Sequence, residues 1–392
     1  MNGKTILCLG GGWGGLAAAH ALRELLPAEH RVIVVEPRPT FSLCTSYMWL
    51  LSGERSTASE ARREMAHIAR PGIEWLQASV ARIDADAHRV ETDAGTLTAD
   101  YLVIAQGAEL APEMIPGLAE HALNLFDADG VIAVREALNA ISTGRVVIAV
   151  ARTPFRCPAA PYEATMVIDW LLRQRGVRDR VEICLYTPEK QPMPVAGAAV
   201  GEALQAMLAE RDIDYRPQRT ISSVDPAMVT FDGEGVPFDM LVMVPPHRAP
   251  ASVVDSGLID GTGYVPVHPA TLELLSDAES LTTRSPGTYA IGDVTSIRLL
   301  NGMLLPKAGV FVESQARVVA ANIAAQLEGK QPRGQFDGRG FCYIEVGDGL
   351  AAYGDGSFYA YPAPRVELQP PSAAHARAKH EFERVLETWF TS

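Results

Sequence analysis

The sequence predicts an α/β protein of two doubly wound domains, the first discontinuous, closed by a small C-terminal cap. Three observations predict it. Thr5 to Leu9 is an apolar run of strand length that meets Gly10-Gly11-Gly12-Trp13-Gly14-Gly15 and then the helix-forming Leu16-Ala17-Ala18-Ala19-His20-Ala21-Leu22. Val32-Ile33-Val34-Val35-Glu36 follows as a buried strand ending in an acid, completing a βαβ unit and implying a parallel sheet with helices on its faces. A second run of alternating elements has a strand at Val146–Val150, a helix over Glu163 to Arg175 and a strand at Val181–Tyr186.

The remaining elements follow in order. Tyr101–Ala105 and Met240–Val244 read as buried strands, and Thr288–Ile291 is an apolar strand running into Gly292-Asp293. Lys307 to Leu327 reads as a long helix. After Gly329 the composition turns to Pro, Gly and aromatic residues, and a final helix is expected near Ala373–Phe390. The two βαβ halves are the only internal echo. The expected division is 1–112 with 233–328 as the first domain, 113–232 as the second and 329–392 as the cap, which suits a chain of 392 residues.

The bulk composition excludes several classes. A formal net charge of −13 argues against nucleic-acid binding, which needs clustered Lys and Arg. No apolar run reaches the roughly 18–20 residues of a membrane span. Met1-Asn2-Gly3-Lys4 leads straight into a strand with no signal-peptide region, so the sequence reads as cytoplasmic. Five cysteines, an odd number in a long chain, are not a secreted disulfide framework. Cys8 and Cys184 fall in apolar strands and read as core. The histidines show no ligand spacing, His375 and His380 being five apart, and no metal is expected.

Gly10, Gly12 and Gly15 form G-x-G-x-x-G between strand and helix. The first glycine permits the tight turn, the second lets the backbone approach a pyrophosphate, and the third lets helix and strand pack closely. Glu36 stands 21 residues after Gly15, where an acid accepts ribose hydroxyls. Whether the dinucleotide is a flavin or a nicotinamide is left open by this motif. The second half lacks such a loop: after Val150 comes Ala151-Arg152-Thr153-Pro154-Phe155-Arg156-Cys157-Pro158, whose prolines lack donors and whose side chains block a pyrophosphate. NAD(P)H is therefore not expected there.

Taken with Cys157-Pro158-Ala159-Ala160-Pro161-Tyr162-Glu163, Pro245-Pro246-His247-Arg248-Ala249, Gly292-Asp293, Pro306-Lys307-Ala308-Gly309 and Cys342-Tyr343, the chain resembles the family of flavocytochrome c sulfide dehydrogenase and sulfide:quinone oxidoreductase. The likeness runs over essentially the whole chain. It implies two Rossmann-like domains binding FAD, with Asp293 after Gly292 on the ribityl chain, Gly107 in the Ala105-Gln106-Gly107-Ala108 turn of the cofactor site, and Lys307 at the flavin N1–O2 edge. It implies that Cys157 and Cys342 form a redox-active disulfide beside the flavin. Hydrosulfide would attack one sulfur, leave a persulfide and release the other cysteine as thiolate, with two electrons passing to the flavin. By the same analogy Cys342 is the flavin-side cysteine and Cys157 the persulfide side. Glu163 would handle the substrate proton, unless it is only a helix N-terminal acid. Cys44 falls where the dehydrogenase carries a thioether to the flavin 8α-methyl group; the surrounding Ser46-Tyr47-Met48-Trp49 departs from that pattern, so a non-covalent lining role stands beside the covalent one.

The acceptor is left between a quinone and an electron-carrier protein. The quinone enzymes usually carry a third cysteine after the Ala-x-Gly turn, and none is near Gly107. Phe382, Val385, Leu386, Trp389 and Phe390 form an amphipathic stripe that suits a peripheral membrane contact or packs on the protein's own core. The expected partners are sulfide or a small sulfur compound and the acceptor, with a homodimer allowed. Two competing readings are an NADH:quinone oxidoreductase on the same fold and a flavin-bearing redox sensor without turnover.

Overall fold

The protein is described by a computed structural model that covers residues 3–68 and 70–391. Its first sheet has five parallel strands in the spatial order Thr288–Ala290, Tyr101–Ile104, Thr5–Leu9, Arg31–Val35 and Ile73–Leu76. The central strands are apolar along their length because both faces are buried in the core, which Ile83 and Val90 of an antiparallel meander also join. Helix Trp13–Leu25 packs against helix Val312–Leu327 on this sheet. Cys8 lies fully buried in the central strand.

The second sheet is also parallel: Leu123–Asn124, Met240–Val244, Gly144–Val150, Val181–Tyr186 and Asp214–Arg216. This corrects the expected division at 232. Met240–Val244 hydrogen-bonds along Gly144–Val150, so the second domain keeps the chain through Val244. An all-apolar strand carries the same pattern whichever buried sheet it joins. The chain then returns to the first domain, where helix Ala251–Asp255 packs on strand Val80–Asp84. Cys184 is buried in this second sheet. Together with Glu182 and Asp214 it places donor atoms within 4.8 Å of one another. Both carboxylates are already paired, with Arg145 at 2.7 Å and Arg216 at 2.8 Å.

Two helices differ in where they start. Helix Ala160–Gln174 begins three residues before the expected Glu163, because Pro161 in its first turn pre-sets a helical φ. The long helix begins at Val312, not at Lys307. Lys307 is instead extended, bridged in parallel to Arg156, and a short 3₁₀ turn, Gly309–Phe311, separates it from the helix.

The cap is an antiparallel sheet of Arg339–Gly347, Leu350–Ser357 and Arg365–Ser372, followed by helix Ala373–Glu387. Ser372 Oγ caps that helix by accepting the His375 N–H at 3.2 Å. The apolar stripe, which the sequence left between a membrane contact and the protein's own core, turns inward. Leu386 and Phe390 are buried, and ring centroids lie 5.4 Å apart both for Phe382 against Trp13 and for Phe390 against Phe41. Only Val385, half exposed, is left outside. Among the described residues no helix is long and apolar enough to cross a membrane.

Candidate active site

The C-terminal ends of both sheets and the inner face of the cap enclose one cavity of about 1540 Å³. All the site residues singled out in the sequence line it except Gly15. Gly15 is spent on packing: a Cβ there would stand 1.7 Å from the Gly10 carbonyl oxygen. Gly10 has φ +103°, and its Cβ would meet the Ala105 carbonyl at 2.6 Å. Gly12 is different, since a Cβ would meet no protein atom within 4 Å. Its face is open to the cavity. Helix Trp13–Leu25 starts at this loop with no side-chain cap, leaving its first amides free for an anion.

Glu36 accepts the Gly11 N–H at 2.7 Å and is paired with Arg38, also at 2.7 Å. Burial alone would raise its pKa, but Arg38 and the backbone donors hold it below the ordinary carboxylate value. Its carboxylate is therefore ionised and braces the loop. On the opposite wall Gly292, at φ +74°, donates its N–H to Gln315 Oε1 at 2.9 Å. Gly107 also takes a left-handed φ, +69°. Asp293 Oδ1 is buried with no hydrogen-bond partner among the described residues. An open glycine face, uncapped helix amides and an orphaned carboxylate oxygen in a large cavity fit a flavin dinucleotide.

Lys307 is buried, with its Nζ donating to the Asp293 and Thr295 carbonyls at 2.6 and 3.2 Å and lying 3.2 Å from the centre of the Tyr264 ring. Burial lowers its pKa to about 7 against the pull of Asp293 and Asp260. Its own carbonyl accepts the Cys157 N–H at 2.7 Å. Lys307 thus ties the Asp293 turn to the cysteine loop.

Cys157 holds a left-handed backbone, φ +52°, a conformation that costs a non-glycine residue about 1–3 kcal/mol. It leads straight into helix Ala160–Gln174, with the Ala160 N–H donating to its carbonyl at 2.9 Å. That helix packs on strand Arg339–Gly347, which carries Cys342. Cys157, Cys342 and Cys44 all open into the cavity, and no sulfur is bonded to another. Burial pushes Cys342 up to about 12 and Cys157 well above its ordinary value. Glu163 raises both further, the charges of Cys342 and Cys44 raise Cys157, and Lys379 lowers both.

Lys379 is the residue that sequence reasoning missed. In the chain it stands among the charged residues of the last helix. Instead it is buried, with Nζ 3.1 Å from Glu163 Oε1 and 2.7 Å from Glu345 Oε1. The same Glu163 oxygen accepts the Glu345 N–H at 3.0 Å. Burial raises the Glu163 pKa and Lys379 opposes it. Glu383, one turn on, is almost wholly buried: it is paired with Arg55 and accepts from Thr45 and, at 2.7 Å, from Ser46. This clasp joins the last helix to the turn that carries Cys44. No local signal marks either residue, because their partners lie on other elements, far away in the chain.

Comparison with known proteins bears on what this cavity holds. A model of the pyridine nucleotide-disulphide oxidoreductase family matches residues 4–321. The chain belongs to that family. It is therefore an oxidoreductase, and family membership implies FAD. The chain is 25% identical over 376 residues to the mitochondrial sulfide:quinone oxidoreductase of Mus musculus, spanning 92% of this chain and 80% of that one. It is 24% identical to the sulfide-quinone reductase of Aquifex aeolicus, spanning 99% of this chain and 90% of that one. The X-ray structure of the sulfide:quinone oxidoreductase from Aquifex aeolicus superposes with a TM-score of 0.86 at 23% identity, covering 98% of this chain and 91% of that one, and so shares the fold.

Proposed function

We propose that this family member oxidises sulfide or a sulfane-sulfur compound through Cys157 and Cys342 and passes the electrons by way of FAD to a quinone. The observation that carries the reading is the convergence of two cysteines, 185 residues apart in the chain, on the cavity of the glycine loop, beside a buried Glu–Lys–Glu cluster. The relatives named as sulfide:quinone oxidoreductases support it.

The two cysteines cycle between disulfide and dithiol. Hydrosulfide attacks Cys157 Sγ, the Sγ–Sγ bond breaks, Cys157 keeps the added sulfur as a persulfide and Cys342 leaves as thiolate. A second hydrosulfide takes the outer sulfur of the persulfide and Cys157 leaves as thiolate; the two cysteine thiolates then close again, giving up the two electrons that FAD, when bound, would accept. Lys379 favours the leaving thiolate, because it lowers the pKa of both cysteines. Glu163, whose raised pKa supports such a role, would take and return the substrate proton. The half-buried rings of Phe341, Tyr343 and Phe382 line the same cavity, Phe341 meeting Phe382 edge-on at 5.2 Å, and offer a flat apolar slot for a quinone ring. Cys44, which lines the same cavity, would carry the thioether to the flavin.

Anaerobic titration with sulfide, and separately with NADH, tests this reading. Sulfide should bleach the flavin band of the wild type and fail in Cys157→Ser and Cys342→Ser. Bleaching by NADH, or by sulfide in both variants, would overturn it. Acid precipitation should leave the yellow colour with the protein, and free it in Cys44→Ser.

A further inference from the structure

We propose that the cavity includes, beyond Cys157, a subsite for an organic thiol bearing an ammonium group, that Glu189 is its counter-charge, and that this amino thiol takes the sulfur from Cys157. The inference rests on the sulfur chemistry proposed above, and it starts from an exception in charge pairing. Five acidic side chains are buried among the described residues. Glu36 is paired with Arg38, Glu163 with Lys379, Asp169 with Arg173 and Arg178, and Glu383 with Arg55. Glu189 is paired with no cation among the described residues. It holds only hydroxyl donors, Tyr162 Oη at 2.6 Å and Thr187 Oγ1 at 3.3 Å, and the buried Tyr215 Oη finds no hydrogen-bond partner in good geometry among the described residues. Deprived of a cation, the carboxyl is pushed by burial up to about 7.

The position of Glu189 points to a ligand. It follows strand Val181–Tyr186 at the C-terminal edge of the second parallel sheet, where doubly wound folds bind their ligands, and it lines the cavity. In a nicotinamide-binding domain an acid near this place meets ribose hydroxyls. Here Thr153, Pro154 and Phe155 replace the glycine loop, so a ligand with a pyrophosphate is excluded. Apolar residues lining the same cavity, Phe155, Met193, Val195 and Ala196, suit a short methylene stem. Tyr162, which donates to Glu189, stands in the first turn of the helix that Cys157 leads into. One stretch of rigid backbone thus joins the acid to the sulfur.

The transfer balances without a further oxidant. The amino thiol loses its proton to water, and its thiolate attacks the outer sulfur of the Cys157 persulfide. The bond from that sulfur to Cys157 Sγ breaks, Cys157 leaves as thiolate, and the product is a low-molecular-weight persulfide. The two cysteine thiolates then rejoin as the disulfide, giving up the two electrons that FAD, when bound, would accept.

The test uses the FAD-bound full chain with sulfide and a water-soluble quinone. The concentration giving half-maximal turnover is measured for cysteamine, 2-mercaptoethanol and thioglycolate, in the wild type and in Glu189→Gln. Intrinsic differences in thiolate content cancel between the two proteins. Loss of a charge-assisted hydrogen bond should shrink the preference for cysteamine over 2-mercaptoethanol by about tenfold or more in Glu189→Gln. A ratio equal in both proteins overturns the subsite. S-Methylcysteamine, which cannot accept sulfur, separates this from the sulfide reading: it should raise the unfolding midpoint of the wild-type holoenzyme and leave that of Glu189→Gln unmoved. No stabilisation of the wild type, or equal stabilisation of both, overturns the proposal whether or not sulfide bleaches the flavin.

Discussion

Replacing Lys379 by methionine removes a buried cation at nearly constant volume, and its cost can be worked from the site. Glu163 and Glu345 both hold the Lys379 nitrogen, at 3.1 and 2.7 Å, so without it the buried Glu163 carboxylate faces the largely buried Glu345. One must take a proton. Keeping a carboxyl of ordinary pKa near 4.3 neutral costs about 1.4 kcal/mol per pH unit above that value. The penalty is then about 1 kcal/mol at pH 5, about 4 at pH 7 and about 5 at pH 8, in line with the few kcal/mol typical of breaking a buried pair. The sign follows from linkage: a carboxyl whose folded pKa is raised favours folding below its unfolded pKa and loses that contribution as pH rises toward the folded value. Urea unfolding of the FAD-bound protein at pH 5 and pH 8 measures both penalties. Lys379→Met with Glu345→Gln should recover most of the loss, because only one carboxylate then remains. A penalty equal at the two pH values, or below about 1 kcal/mol at pH 8, would refute the reasoning. Flavin reduction by sulfide should also slow in Lys379→Met, since the cation that lowers both thiol pKa values is gone.

Further outcomes follow from the packing. Gly12→Ala should leave apo-protein stability within about 0.5 kcal/mol of wild type, because a Cβ there meets no protein atom, yet weaken FAD binding in a fluorescence titration. Gly15→Ala should destabilise the apo-protein outright, its Cβ colliding with the Gly10 carbonyl. Glu383→Ala strands the Arg55 guanidinium and should cost about 3–5 kcal/mol, with hydrogen exchange over residues 373–387 accelerating more than in the two sheets. Val385→Asp should be neutral in thermal unfolding while Leu386→Asp is severe; equal effects would mean that the last helix is turned the other way.

The sequence by itself determined the elements whose cause is local. The glycine spacing, the short apolar strands and the helical runs are set by sterics and periodicity within a few residues, and the structure forms them close to where they were expected. Cys157 and Cys342 could be singled out from their own flanking residues. Other features were decided only by tertiary packing. Met240–Val244 could have joined either sheet, since a strand buried on both faces carries no mark of its neighbour. The stripe of the last helix could have met lipid or protein, since both are apolar. Lys379 becomes part of the site only by meeting Glu163, 216 residues away, and Glu189 stands out only because no cation among the described residues reaches it. Charge acquires its chemistry from burial and partners, and neither is a property of the neighbouring residues in the chain.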